Sequence, residues 1–171
     1  MAGQRGLDVE IRPARRDDLA GLTDIYNHYV RTSHVTFDIA PLTIEQRRDW
    51  FSHYHETGPH RLLVATGEGA LLGYASSSPF RLKPAYRTSV ETSVYCHPQT
   101  SGNGIGSRLY TRLFEELSDE DVHRAYAGIA LPNAASLALH RRFGFREVGT
   151  YTEVGYKLGR YWDVIWLEKP L

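Results

Sequence analysis

The fold is decided by residues 91–107, ETSVYCHPQTSGNGIGS. Alternating β-branched and aromatic side chains up to Cys96 predict a strand, and Pro98 ends it because proline cannot continue a β-ladder. Glycines at positions 102, 104 and 106 then allow a tight turn, and the residues up to Phe114 follow an amphipathic helical pattern. Since a helix N-terminus presents free N–H groups and the positive end of its dipole, this segment predicts an anion-binding site. A glycine turn that binds no ligand is the alternative.

The loop differs from two common phosphate-binding motifs. It lacks the Lys-Ser/Thr ending of a P-loop, and its glycines miss the G-x-G-x-x-G spacing of dinucleotide-binding folds. It resembles instead the acetyl-CoA pyrophosphate loop of the GNAT acetyltransferase superfamily, in which Gln/Arg-x-x-Gly-x-Gly/Ala follows a strand. Gly104-Ile105-Gly106 matches the end of that pattern, whereas Ser101 stands where the family has Gln or Arg, and Asn103 where a basic residue is common.

Composition predicts one globular domain, residues 1–171, and argues against several other classes of protein. The chain is 42% hydrophobic and 23% charged, and 20 basic residues balance 20 acidic ones, so no net field favours nucleic acid or an anionic membrane. No apolar run approaches the roughly 20 residues that span a bilayer. The absence of an apolar leader and the single cysteine favour a cytoplasmic location. The eight histidines lack metal-site spacing, so we expect no metal.

The chain outside the loop predicts the order β-α-α-β-β-β-α-β-α-β-β after a loose leader of residues 1–7. Thr43 to Gln46 forms a capping-box pattern, and a fourth helix is predicted from Ala134 to Arg142, opened by Asn133 and ended by Gly144. The last two strands are predicted at residues 147–152 and 161–168, with a glycine-containing connection between them. This is the GNAT order, and the resemblance implies a mixed α/β fold with a central twisted sheet, helices on both faces and a core at about residues 8–168.

Four stretches carry a closer resemblance. They are similar to one branch of the superfamily, the phosphinothricin and methionine sulfoximine N-acetyltransferases, and particularly to members that acetylate arsinothricin. These stretches are residues 90–98, 128–133, 136–140 and 154–164.

The resemblance places a catalytic glutamate at Glu91. A carboxylate there can remove the proton that an amine must lose before it attacks a thioester, and partial desolvation raises its pKa toward a useful range. His140 stands where many members carry a tyrosine that protonates the departing thiolate. The alternatives are a solvated strand glutamate and a structural histidine. Cys96 has no evident base partner, which favours direct transfer in a ternary complex over an acyl-enzyme.

The resemblance also implies the site for acetyl-CoA, which acts as a co-substrate. In this superfamily the strand after the glutamate diverges from its neighbour, so that its backbone binds the pantetheine amides and polarises the thioester carbonyl. The loop amides hold the pyrophosphate, and an asparagine that can also cap the fourth helix meets the pantetheine arm. The implied cofactor-binding residues are Val94, Tyr95, Cys96, Gly102, Asn103, Gly104, Ile105, Gly106, Ser107 and Asn133.

The acceptor site implied by the resemblance contains Arg81, Lys83 and Tyr86, where basic side chains suit a carboxylate or phosphinate. Phe37 and Tyr110 are further candidates for pocket walls. Solvated loop charges and core aromatic residues are the alternatives. We therefore expect an N-acetyltransferase of a small acidic amino acid analogue. The resemblance also implies a homodimer, with the C-terminal strands or residues 35–37 near the partner. A peptide or polyamine acetyltransferase and a non-catalytic acyl-CoA sensor are the other functional hypotheses.

Overall fold

The computed structural model describes residues 8–100 and 102–171, so the predicted leader (residues 1–7) and Ser101 lie outside the described residues. The helices and strands follow in the predicted order. Their bounds are β1 Glu10–Pro13, α1 Leu19–Thr32, α2 Ile44–Ser52, β2 Leu62–Gly67, β3 Ala70–Pro79, β4 Ser89–Cys96, α3 Ile105–Leu117, β5 Arg124–Ala130, α4 Ala134–Arg142, β6 Arg146–Lys157 and β7 Arg160–Pro170.

The strands form one mixed sheet in the order β1-β2-β3-β4-β5-β7-β6. The pair β4–β5 is parallel, and the other neighbouring strands are antiparallel. Parallel pairing of β4 with β5 ends at Glu91, opposite Tyr126, although β4 continues to Cys96 and β5 to Ala130. The two strands therefore diverge in the middle of the sheet, as the resemblance predicted.

Both faces of the sheet are covered by helices. On one face α3 buries Leu109, Leu113 and Leu117, spaced four residues apart along one side of the helix. On the other face α1 buries Leu22 and Ile25 against β2 and β3. Each fully buried leucine contributes about 1.5–3 kcal/mol relative to an exposed one, so both layers stabilise the sheet. None of the described helices is long and apolar enough to cross a membrane.

Two helix boundaries follow from local signals in the sequence. The Thr43 hydroxyl accepts a hydrogen bond from the Gln46 N–H at 3.2 Å, and the Gln46 side chain accepts one from the Thr43 N–H at 2.9 Å. This confirms the capping box at the start of α2. At the end of α4, Gly144 takes a positive φ of 83°, as expected of a glycine that terminates a helix.

The predicted bounds of the last two strands were wrong. The structure extends β6 to Lys157, and the turn to β7 contains Leu158 and Gly159, with φ of 54° and 77°. Positive φ at both positions suits a two-residue hairpin turn, which the sequence conceals because leucine is unusual there. An irregularity between Tyr151 and Gly155 also interrupts the pairing of β6 with β7. The sequence of this irregular segment was interpreted as part of the connection between the two strands.

Candidate active site

The divergence of β4 and β5 opens a cleft of about 550 Å³. Its walls are the unpaired halves of both strands, the loop before α3, the first turn of α3 and one side of α4. Asn103 is exposed and does not line this β4–β5 cleft. The other predicted cofactor-binding residues do line it: Val94, Tyr95, Cys96, Gly102, Gly104, Ile105, Gly106, Ser107 and Asn133.

The first turn of α3 is shaped by two glycines. Gly104 is the N-cap residue and has a positive φ of 75°, which a glycine adopts without strain. Gly106 lies one residue inside the helix, where an added Cβ would come within 3.2 Å of Leu139 on α4. Because the first N–H groups of a helix have no intrahelical partner, the turn presents free donors to the cleft.

The α4 side of the cleft begins with a capped helix. The Asn133 side-chain oxygen accepts a hydrogen bond from the Ser136 N–H at 3.1 Å, so Asn133 is the N-cap and also lines the cleft. Ala135, Ala138 and Arg142 line it as well. Their i, i+3, i+7 spacing places two small side chains and one cation on a single helix face.

Arg142 was missed in the sequence analysis. The signal that could have identified it is this alanine–alanine–arginine face, which begins directly after a predicted cap. Arg142 brings positive charge to a cleft whose loop lacks it, since Ser101 and Asn103 stand at positions where the family has polar or basic residues.

Glu91 lies at the closed end of the cleft, at the last position of β4 that pairs with β5. Its neighbours Val90 and Thr92 are buried on one face of the sheet, so the half-buried Glu91 side chain projects from the opposite face. Burial raises the pKa of the Glu91 carboxyl, and the positive charge of Arg81 opposes part of that rise. Glu91 is thus beside the cleft without lining it.

His140 lines the cleft and is buried with both ring nitrogens hydrogen-bonded. Nδ1 lies 2.8 Å from the Ser136 carbonyl oxygen, which can only accept, so Nδ1 carries the proton. Nε2, 2.9 Å from the Tyr110 hydroxyl oxygen, then accepts from that hydroxyl. Burial lowers the pKa of His140, which favours this neutral form.

Tyr110 is fully buried on α3 and does not line the cleft. It lies behind His140, so the structure does not place it in a pocket wall. Burial raises the pKa of its hydroxyl, which therefore remains a hydrogen-bond donor.

Cys96 has no nucleophile geometry. Its side chain is half-buried beside Gly106, and burial raises the pKa of the thiol, so the reactive thiolate is disfavoured. Among the described residues, no group of three or more His, Cys, Asp or Glu side chains is placed to hold a metal ion.

Arg81, Lys83 and Tyr86 lie together in the β3–β4 loop, where they line a second hollow of about 440 Å³. This hollow is separate from the β4–β5 cleft. Arg81 and Tyr86 both approach Phe80: the Arg81 guanidinium carbon lies 4.3 Å from the centre of the Phe80 ring, and the centre of the Tyr86 ring lies 6.0 Å from it. Phe80 in turn stacks on Tyr126, the residue paired with Glu91, at 4.2 Å.

Phe37 does not line the β4–β5 cleft. Its ring covers Gly155 of β6, where an added Cβ would overlap the ring. Two residues earlier, Val35 does line the cleft. The Lys157 ammonium donates to the Thr36 carbonyl oxygen at 2.7 Å, so β6 holds this segment in place.

Comparison with known proteins agrees with this geometry. Residues 11–166 match the family model described as the acetyltransferase (GNAT) domain. The chain is 60% identical over 166 residues to a phosphinothricin N-acetyltransferase of Streptomyces coelicolor, covering 96% of this chain and 97% of that protein. It is 35% identical to the L-methionine sulfoximine/L-methionine sulfone acetyltransferase of Salmonella typhimurium, with 95% of each chain covered.

A solved structure also has this arrangement of strands and helices. The phosphinothricin acetyltransferase of Sinorhizobium meliloti, determined in complex with acetyl-CoA, superposes with a TM-score of 0.90 at 33% identity and covers 95% of this chain and 88% of that one. The chain therefore belongs to the GNAT acetyltransferase family and is an N-acetyltransferase related to the phosphinothricin and methionine sulfoximine enzymes.

Proposed function

We propose that this enzyme transfers the acetyl group of acetyl-CoA to the α-amino group of a small acidic amino acid analogue such as phosphinothricin, methionine sulfoximine or arsinothricin. The observation that carries the proposal is the position of Glu91, a carboxylate of raised pKa at the point where β4 and β5 diverge. The phosphinothricin N-acetyltransferase of Streptomyces coelicolor, at 60% identity, supports the choice of acceptor.

The β4–β5 cleft fits acetyl-CoA, which supplies an acetyl group activated as a thioester. The amides of the first turn of α3 and the cation of Arg142 suit the pyrophosphate. The edge of β4 from Val94 to Cys96 has lost β5 as its partner and can bind the pantetheine amides. Gly106 keeps that edge, α3 and α4 close together, because a side chain there would contact Leu139.

Glu91 acts in the proposal as the general base. It accepts a proton from the acceptor ammonium, directly or through one water, and so produces the neutral amine. Burial raises its pKa and therefore its strength as a base near neutral pH. Burial raises the pKa of the Cys96 thiol and disfavours the thiolate that an acyl-enzyme would need, which supports direct transfer within a ternary complex.

His140 has a smaller part in this proposal. Both of its nitrogens are engaged, so it can deliver a proton to the departing thiolate only after one of those hydrogen bonds is exchanged. We therefore expect His140→Phe to lower turnover less than Glu91→Gln does.

The test is a thiol-release assay with acetyl-CoA and a panel of acceptors. The panel contains phosphinothricin, methionine sulfoximine, arsinothricin, a short peptide and a polyamine. Faster turnover of the amino acid analogues supports the proposal. Faster turnover of the peptide or the polyamine would contradict the proposed acceptor and identify that compound's class as the acceptor instead. Acetyl-CoA binding in calorimetry without turnover of any acceptor would favour the sensor hypothesis.

We further propose a homodimer that uses the C-terminal strands. β6 is an edge strand, and exposed apolar side chains cluster on β6 and β7. Unpaired edges and exposed apolar surface of this kind favour association with a second copy. The side chains concerned are Val148, Tyr151, Val154, Tyr156, Leu158 and Tyr161. Light scattering at micromolar concentration should give a dimer mass, and a monomer mass would contradict this.

A further inference from the structure

The unpaired edge of β4 brings backbone N–H and C=O groups to the β4–β5 cleft. The direction of these groups follows from Tyr95, whose carbonyl oxygen faces β3: an added Cβ at Gly73 of β3 would lie 2.8 Å from it. In an antiparallel ladder, successive residues direct their backbone groups alternately toward one neighbour and away from it. The backbone groups of Val94 and Cys96 therefore point away from β3, into the cleft that both residues line.

Side-chain hydroxyls occupy both ends of this edge. At the open end the Tyr29 hydroxyl, which comes from α1, donates to the Cys96 carbonyl oxygen at 2.7 Å, and Tyr29 itself lines the cleft. At the closed end the Thr92 hydroxyl donates to the Tyr126 carbonyl oxygen at 3.3 Å, one residue beyond the last backbone pair of β4 with β5. Val94 lies between the two occupied positions.

The position of the acetyl group in the cleft depends on this edge. A chain of rotatable bonds joins the amides of the pantetheine arm to the pyrophosphate, so a bound pyrophosphate alone does not fix the thioester. Only two methylene groups separate the last amide from the sulfur, so the carbonyl that accepts this amide N–H sets the distance from the thioester to Glu91. Pairing with Cys96 in place of Val94 would move the thioester by two residues, about 6.6 Å, away from Glu91.

We propose that Tyr29 is a positioning residue for acetyl-CoA. Its hydroxyl occupies the Cys96 carbonyl, which leaves the Val94 carbonyl to accept the pantetheine amide and holds the thioester within reach of the amine beside Glu91. This inference rests on the proposed function, in which acetyl-CoA binds in the β4–β5 cleft. The effect is transmitted by the backbone of β4, since Cys96 is five residues from Glu91.

The test is Tyr29→Phe, which keeps the ring and its contact with Tyr95, 5.7 Å away between ring centres, and releases the Cys96 carbonyl. Acetyl-CoA can then also bind in the shifted position, where it does not react. Such binding lowers kcat and the KM for acetyl-CoA by the same factor and keeps kcat/KM within about twofold of wild type. One neutral hydrogen bond sets the factor, so both constants should fall about two- to tenfold. Calorimetry should give a Kd for acetyl-CoA at least as tight as that of wild type.

Tyr26→Phe is the matched control. Tyr26 lies about one turn earlier on α1, its hydroxyl oxygen is 2.6 Å from that of Thr36, and it does not line the cleft. Each variant loses a hydroxyl that is hydrogen-bonded in the fold, so both should lower the melting temperature. Because the Cys96 carbonyl stays occupied in Tyr26→Phe, this control should keep the KM for acetyl-CoA within about twofold of wild type.

Three results for Tyr29→Phe would overturn the inference. They are an unchanged kcat, a fall in kcat without a matching fall in the KM for acetyl-CoA, and weaker binding of acetyl-CoA, which is expected if the hydroxyl only supports the fold. A wild-type enzyme that binds no acetyl-CoA in calorimetry would overturn the proposed function, and this inference with it.

Discussion

Replacing Arg81 by glutamine should make Glu91 harder to ionise and shift the activity of the enzyme toward higher pH. Burial raises the pKa of Glu91, and of the charged groups that the structure describes, Arg81 is the one that opposes the rise. Removing its charge should raise that pKa further. Because a general base must be ionised to accept a proton, the acid side of the kcat/KM profile should move to higher pH.

The size of this shift follows from the exposure of Arg81. A charge–charge interaction open to solvent is worth about 0.5–1 kcal/mol, and 1.36 kcal/mol corresponds to a tenfold change in an equilibrium or a rate. The ratio of mutant to wild-type kcat/KM should therefore be constant at high pH and should fall a further two- to fivefold, approximately, at low pH.

The measurement is thiol release at saturating acetyl-CoA and low acceptor concentration, from mildly acidic to alkaline pH. The ratio of mutant to wild type cancels the titration of the acceptor amine, which both enzymes share. Lys83→Gln is the control, since Lys83 is an exposed cation of the same loop with no effect on the pKa of Glu91. A ratio for Arg81→Gln that is flat with pH, or that rises as the pH falls, would refute the coupling.

Three further predictions test other parts of the site. Glu91→Gln should retain acetyl-CoA binding and lose about 10²–10⁴-fold in turnover, less at high pH where the amine is already neutral; near-normal turnover at every pH would remove it as the base. Tyr110→Phe should leave the buried Nε2 of His140 unpaired, which costs about 1–3 kcal/mol of stability. Each kcal/mol lowers the melting temperature by roughly 2–4 °C, so an unchanged thermal transition would contradict the pairing. Arg142→Ala should weaken acetyl-CoA binding in calorimetry and reduce its salt dependence, whereas Arg141→Ala, which loses an ion pair with Glu147 outside the cleft, should do neither.

The sequence predicts best where a boundary depends on neighbouring residues. The bounds of α4, Ala134 to Arg142, follow from an asparagine cap at one end and a glycine at the other, and the structure has the same bounds. Both ends of α4 depend on signals a few residues apart. The divergence of β4 and β5 also agrees with the structure, but it was implied by the resemblance to the GNAT superfamily and not by local signals.

Features that depend on contacts distant in sequence were harder to predict. Tyr110 and His140 are 30 residues apart, and no local pattern shows that one ring lies behind the other. Phe37 is 118 positions before Gly155, and nothing in the sequence shows that this glycine provides the space that the ring occupies. In each case an aromatic residue is recognisable as a candidate, but its partner decides whether it lines a cleft or fills the core.

The same distinction applies to the proposed pyrophosphate site, whose loop lacks a basic side chain. Asn103 is exposed and does not line the cleft, so the loop supplies backbone amides and not charge. Arg142 lines the cleft from α4, on a helix face that two alanines keep small. Coulombic attraction depends on the distance between charges and not on which element carries them, so either wall can supply the cation. The loop motif accounts for the charge on one element only, whereas the charge of the cleft comes from side chains on more than one element. Removing Arg142 should therefore weaken acetyl-CoA binding, although Arg142 lies outside the loop motif.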